Sequence, residues 1–325
     1  MKRILSKKIK ADNDTGFANQ ANTQGGRILN KDGSLNVIRT GLPLFERLNF
    51  FHDLIAMNWL RFSLIVLSFY ILMNLFFGLI YYVIGVEHLN GTLADNEWNK
   101  FLESFFFSTQ TFATVGYGRI NPTGILTNIV SSLEALMGVL SLALVTSLLY
   151  SRFSKPKSKL LYSKNLLVAP YQDASALMFR FANSDNEPLL ECEIQLILSM
   201  MVKENEKDER KYFPLKLERD KIASLAMNWT VVHPLNEDSP MFGCSMQDMI
   251  DYDAEFIVLL KAFDNTYSQI VHTRSSYKYN DIVWGGKFKP MFYRAKNGSS
   301  TVLELDKISD YELVKIPEFN PTVSL

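Results

Sequence analysis

The chain has 325 residues, of which 34 are Lys or Arg and 34 are Asp or Glu, so its formal net charge is zero. That balance gives no electrostatic reason to expect a nucleic-acid partner or an acidic one. Its two cysteines, Cys192 and Cys244, form neither a CxxC pair nor a metal-ligand cluster, which argues against a disulfide scaffold or a zinc module and for reduced packing residues.

Residues 1–43 read as a cytoplasmic N-terminal tail, and the first 26 are rich in Lys, Asn, Gln, Gly and Asp, a composition that favours disorder. Met1–Lys10 is basic, but no apolar stretch follows, so no cleaved leader is expected. Over 44–59 the apolar residues Leu44, Leu48, Phe51, Ile55 and Trp59 recur at spacings of three and four, opposite Glu46, Arg47, Asn49 and Asp53. Because this stripe abuts a membrane span and carries Phe and Trp, the spacing predicts an interfacial slide helix.

A pore domain is expected over 60–153. Phe62–Ile84 is 23 residues without a charge, enough to cross the hydrocarbon with some tilt, and Tyr81 and Tyr82 close it where an aromatic belt is expected. Asn99–Ala113 is apolar and aromatic but too short to span, and reads as a re-entrant helix. Ile125–Tyr150 is a second span, interrupted only by Glu134. Arg39, Arg47 and Arg61 precede the first span, and Arg152, Lys155, Lys157, Lys159 and Lys164 follow the second, whereas Gly85–Gly124 holds only Lys100 and Arg119. That bias predicts a multi-pass protein of the cell (plasma) membrane with both ends in the cytoplasm.

From 154 to 315 the texture changes to short alternating segments. Cys192, Ile194, Leu196, Leu198 and Met200 alternate with polar neighbours, except that Ile197 breaks the polar row. Similar pieces at Leu177–Ala182, Tyr212–Leu217, Trp229–His233, Phe256–Phe263, Tyr267–His272 and Thr301–Leu305 predict an immunoglobulin-like β-sandwich. The fold class is therefore an α + β membrane protein: two spans, a re-entrant helix and a C-terminal β-sandwich, closed by a tail over 316–325. There is no strand–GxGxxG–helix unit to suggest a nucleotide-binding module, and no nucleophile–base pair to suggest an enzyme.

The most informative residues follow the re-entrant segment: Thr114-Val115-Gly116-Tyr117-Gly118. Four copies of such a loop can replace the hydration shell of K+ with backbone carbonyls. The two glycines suit alternate positions whose conformation a β-carbon penalises, with Val115 and Tyr117 turned away to brace the loop. One chain supplies one loop, so the pattern predicts a homotetramer, with K+ as the permeant ion and no cofactor.

Phe106-Phe107-Ser108-Thr109-Gln110-Thr111 running into this loop resembles the pore of inward-rectifier (Kir-type) potassium channels, especially the prokaryotic branch. Further matches are Arg27-Ile28-Leu29-Asn30 with Asp32-Gly33, Arg39-Thr40-Gly41, Ser151-Arg152-Phe153, Asn228–Pro234, Asp238-Ser239-Pro240, Arg274–Tyr277 and Ile282–Gly285. The resemblance implies that Thr114–Gly118 coordinate K+ and that conduction is passive. It implies binding of phosphoinositide or other anionic headgroups at the basic cluster Arg152, Lys155, Lys157 and Lys159, beyond the general attraction of about 1 kcal/mol per charge. It places the loop Asp264–Gln269 at a narrow point of a cytoplasmic vestibule. Two departures stand out. Gln110 occupies the place of a glutamate that in many eukaryotic relatives pairs with an arginine at the mouth, here Arg119. Leu142 occupies the place of an acid that holds polyamines in strong rectifiers, so weak rectification is expected.

Other positions keep two readings at this stage. Glu134 either braces the back of the filter or faces the cavity and attracts cations. Gly138 is either a bending point or a site of close helix packing. Tyr150 either closes an apolar constriction or anchors the helix at the interface. His233 and His272 are expected as buried strand residues. A potassium-uptake subunit and a non-conducting membrane-anchored adaptor are the alternative functions, and the single intact loop weighs against the former.

Overall fold

The computed structural model describes residues 26–38, 40, 41, 43, 50–154, 160–172, 174–204 and 207–316. The chain forms two compact units, Thr40–Lys155 and a second that combines Met1–Arg39 with Pro156–Leu325.

In the first unit, α1 (Phe50–Ala56) is the described part of the expected slide helix, whose first residues, 44–49, lie outside the described residues. It ends earlier than periodicity predicts, because Asn58 turns extended and its side chain accepts from the backbone N–H of Arg61, 3.0 Å away. That cap starts a new helix, α2 (Trp59–Ile84), so Trp59 belongs to the span. The re-entrant helix α3 (Glu97–Phe112) begins two residues earlier than expected because Asn96 caps it, accepting from Asn99 N at 2.8 Å. The second span, α4 (Ile125–Phe153), runs three residues past Tyr150. α2 and α4 have mean hydropathies of 2.2 and 1.9 and are largely uncovered within the chain, so their apolar surface is available to lipid or to other subunits. α3 packs on α2 around Phe77, Tyr81, Leu89, Phe107 and Ile120, with the Tyr81 and Phe107 rings edge-to-face at 4.9 Å. Strands β1 (Leu89–Asn90) and β2 (Asn121–Pro122) tie the two ends of the re-entrant segment together.

The second unit is a sandwich of two five-stranded sheets. One contains β3 (Leu160–Tyr162), β4 (Leu166–Tyr171), β5 (Ala174–Asn183), β9 (Asn228–Pro234) and β12 (Ile282–Trp284). The other contains β6 (Leu189–Glu204), β7 (Lys207–Leu215), β8 (Lys221–Leu225), β10 (Glu255–Asp264) and β11 (Gln269–Lys278). All pairings within these sheets are antiparallel except β4 with β12. The core lies between the sheets, where Cys192, Ile194, Leu196, Leu198 and Met200 of β6 meet Phe179, Phe181 and Val231. The expected strand Tyr267–His272 starts later than predicted, because Asp264 Oδ1 accepts from the N–H of Thr266 and Tyr267 and holds a turn there. His233 is buried, with Nδ1 2.7 Å from the Lys216 carbonyl and Nε2 2.8 Å from Ser239 Oγ. His272, also expected to be buried, is instead exposed, because it lies on the outer face of β11. Past the sandwich, β13 (Gly286–Phe288) pairs with β16 (Tyr311–Leu313) and β14 (Phe292–Arg294) with β15 (Thr301–Leu303). The buried guanidinium of Arg180 holds this segment, donating to the carbonyls of Ile308, Lys289 and Lys307 at 2.6–2.7 Å.

The N-terminal stretch over 27–36 is not a free tail. Ile28 and Leu29 are buried against Ile197, Tyr212 and Ile257 on the outer face of the second sheet. Ile197, the residue that broke the polar row, is apolar because this strap covers it. Glu255 is fully buried and accepts from the N–H of Ile28 (2.9 Å) and Leu29 (3.1 Å). Asp281 pairs with Arg27 and with Lys31, the latter at 2.7 Å. Burial pushes the Asp281 carboxyl up, but hydrogen bonds from Lys31, the Lys278 backbone and Arg27 outweigh it and hold the group below its usual value of 3.8. A depressed carboxylate contributes its full stabilisation above the unfolded value and loses it as pH falls through the lower folded one. Amide-exchange protection at Ile28 and Leu29 is therefore expected to hold at about pH 5 and to fall below about pH 4, and Asp281→Asn should lower it at about pH 5 and above and flatten that step.

Candidate functional site

The predicted filter forms at the carboxyl end of α3. Thr114, Gly116 and Gly118 have φ of 57°, 56° and 84°, so alternate residues take the left-handed conformation. Nothing crowds Gly116 or Gly118 within 4 Å, so backbone conformation rather than packing within the chain calls for glycine. Thr114 holds the same conformation with a β-carbon, at a cost of order 1–3 kcal/mol. The loop is tethered at its root. The Gln110 carbonyl accepts from Val115 N at 2.8 Å and Gly116 N at 3.3 Å, and Thr111 O accepts from Thr114 N at 3.0 Å. At the outer end Asn121 Nδ2 donates to Gly118 O at 2.9 Å. Val115 and Tyr117 do not brace the loop from within the chain. Their side chains are 51% and 79% exposed.

Behind the filter, Glu134 takes the bracing role rather than the cavity-facing one. It is fully buried, accepts from Tyr81 Oη at 2.6 Å and lies 2.5 Å from Ser108 Oγ, joining α4 to both α2 and α3. Ser108 also reaches Asn74 Oδ1 at 3.2 Å. One turn further along α4, Gly138 is a packing residue. A β-carbon there would lie 2.1 Å from the Phe112 carbonyl, at the end of α3. At the mouth Arg119 is held, but by a different partner from the one the resemblance suggests. Its Nη2 lies 2.7 Å from Glu103 of α3, and Nη1 donates to Gly91 O at 3.4 Å. Gln110, two turns along from Glu103, supports the filter through its main-chain carbonyl.

Leu142 and Tyr150 are 64% and 73% exposed and lie eight residues apart on α4, so they share an uncovered stripe with Thr146 between them. Arg152 is engaged with the end of α1. Its Nη1 donates to the carbonyls of Leu54 and Ile55, Nη2 donates to Met57 O at 2.8 Å, and the guanidinium lies 4.7 Å and 4.5 Å from the rings of Trp59 and Phe62. A cation at the carboxyl end of α1 fits its unpaired carbonyls better than solvent does. Lys155, Lys157 and Lys159 lie outside the described residues. Three links gave no signal in the sequence: Tyr81 with Glu134, Glu103 with Arg119, and Arg152 with the end of α1. Each partner is an ordinary residue, and only the packing of helices distant in sequence reveals the pair.

Comparison with known proteins decides the family. "Inward rectifier potassium channel C-terminal domain" matches residues 160–323, and "Ion channel" matches residues 69–155. The inward rectifier potassium channel Kirbac3.1 of Paramagnetospirillum magnetotacticum is 33% identical over 87% of this chain and 95% of its own length. The chain belongs to the inward rectifier potassium channel family. It is also similar to the ATP-sensitive inward rectifier potassium channel 12 of Gallus gallus (27% identical; 83% of this chain, 68% of that one) and to the inward rectifier potassium channel 18 of Homo sapiens (25%; 83% and 67%). The crystal structure of Spo0M, a sporulation control protein from Bacillus subtilis, aligns at a TM-score of 0.23 and 12% identity over 40% of this chain and 50% of that one, too weak to bear on the fold. The two matched segments of the inward rectifier coincide with its membrane unit and its β-sandwich, the architecture predicted for it. In this chain the contact between Gly138 and the end of α3 lies at the root of the filter loop. Gly138→Ala is expected to destabilise the assembled protein by about 1–3 kcal/mol through overpacking against a main-chain carbonyl, read as a lowered melting temperature in detergent.

Proposed function

We propose that this chain forms a homotetrameric, potassium-selective channel that conducts passively, with Thr114–Gly118 of four chains supplying the rings of oxygen. One observation carries the reading. The loop already has the alternating left-handed backbone that such a filter needs, while Val115 is half exposed and Tyr117 mostly exposed within the chain. Side chains of that size left uncovered at a strained loop call for neighbouring subunits, and fourfold closure around the loop supplies them. The proposal includes no cofactor and no reaction, since K+ is cargo.

Both chain ends are proposed to be cytoplasmic. Arg27, before the first span, touches Asp281, after the second, so these two segments share one side of the membrane. The bias of Lys and Arg toward the ends assigns that side to the cytoplasm. Gating is proposed to lie with the cytoplasmic sandwich and with anionic lipid recognised by Lys155, Lys157 and Lys159. Arg152 is left out of that set because its guanidinium is engaged with α1. Tyr150 and Leu142 are proposed to line the inner pore.

Liposomes holding the purified protein and a K+ gradient should accumulate rubidium without any energy source, with uptake blocked by barium and varying with the content of anionic lipid. Absence of flux in every lipid mixture would favour the adaptor instead. Because Leu142 offers internal polycations no charge, spermine should block outward current weakly, and Leu142→Asp should steepen that block. Strong spermine block of the wild type, abolished by altering Leu142, would overturn this part.

A further inference from the structure

Behind the filter, four buried side chains offer more acceptors than their ordinary hydrogens can fill. Asn74 and Tyr81 come from α2, Ser108 from α3 and Glu134 from α4, and all four are inaccessible to solvent. The direction of the chain is set at its far end. Asn74 Nδ2 donates to the Tyr70 carbonyl at 2.7 Å, and turning the amide over would place two oxygens at that separation. The Asn74 amide oxygen therefore faces Ser108, at 3.2 Å. Ser108 has a single hydrogen but two oxygen neighbours, Asn74 Oδ1 and, at 2.5 Å, Glu134 Oε1. The other carboxyl oxygen, Oε2, accepts from Tyr81 at 2.6 Å.

With Glu134 ionised, the count fails. If Ser108 donates to Glu134, the buried Asn74 oxygen has no donor from Ser108. If it donates to Asn74, two oxygens meet at 2.5 Å with no hydrogen between them. Among the described residues no Lys, Arg or His forms an ion pair with Glu134, and the groups that face it from α2 and α3 are the neutral Tyr81 and Ser108. With a hydrogen on Oε1 every group is satisfied: Glu134 donates to Ser108, Ser108 to Asn74, Asn74 to Tyr70, and Tyr81 to Glu134 Oε2. We propose that Glu134 is held as the neutral acid and that Tyr81, Glu134, Ser108 and Asn74 form a one-way hydrogen-bond chain positioning the re-entrant helix between the two spans. Its bearing on conduction rests on the channel reading above; the proton itself does not.

Infrared spectroscopy of the full-length protein in lipid at neutral pH tests this directly. The expected result is a protonated-carboxyl C=O band that is lost in Glu134→Gln. In Ser108→Ala the same band should move to higher wavenumber, because the acid loses its acceptor. The amide of Glu134→Gln can donate to Ser108 and accept from Tyr81 as the neutral acid does, so this variant should assemble and melt as the wild type does. No such band in the wild type, a band that survives Glu134→Gln, no shift in Ser108→Ala, or failure of Glu134→Gln to assemble would each overturn the proposal. Rubidium uptake by the same liposomes reads the channel separately: a protein that shows the band but passes no ion refutes conduction and leaves the proton in place.

Discussion

The carbonyl oxygen of Gln110 is the point on which the filter loop depends. It accepts from both Val115 and Gly116, so contacts within the chain shape the first turn after α3. An α-helix leaves its last carbonyls without internal partners, and here one of them binds the loop that follows. Four further contacts in the membrane unit hold that helix. Asn96 fixes where α3 starts, Glu103 ties its outer part to Arg119, Ser108 joins it to Glu134, and Phe112 rests on Gly138. These contacts recur along the helix at intervals of about one to two turns, so α3 is held over its whole length.

The two membrane helices contribute in different ways. α2 presents small and aromatic surface to α3, with Gly78 allowing close approach to Phe105 and Tyr81 stacking edge-on against Phe107. α4 presents one acid and one glycine, four residues apart, and beyond them an uncovered stripe through Leu142 and Tyr150. A single helical face thus passes from supporting the filter to facing open space, and the change occurs where α3 ends.

Elements with strong local signals were legible in the sequence. The two spans, the re-entrant helix and the long strands follow from apolar length and alternation, and the filter from a five-residue pattern with a mechanism. Boundaries set by one capping side chain were not: Asn58 moved Trp59 out of the slide helix and into the span. Strands of three residues, such as β12 and β13, carry too little pattern to detect. Ile197 was visible as an exception, yet its cause lay in Ile28 and Leu29, some 170 residues away in the chain, within a stretch read as a tail. The contact of Arg152 with the end of α1 was hidden for a related reason. A basic residue beside a membrane matches lipid and helix-end carbonyls equally well, and only the position of α1 distinguishes them. The matched motifs Asn228–Pro234 and Asp238-Ser239-Pro240 meet through His233 and Ser239, six residues apart in the chain.

The strap across the second sheet sets an order of events during synthesis. Glu255 binds the backbone of Ile28 from 227 positions downstream, and Asp281 reaches Arg27 from 254 positions downstream. The ribosome must therefore complete both hydrophobic spans, and nearly the whole sandwich, before Arg27 and Ile28 can dock. A chain threaded through the bilayer only once would leave its strap and its sandwich on opposite sides of the membrane, with Ile197 and Ile257 bare.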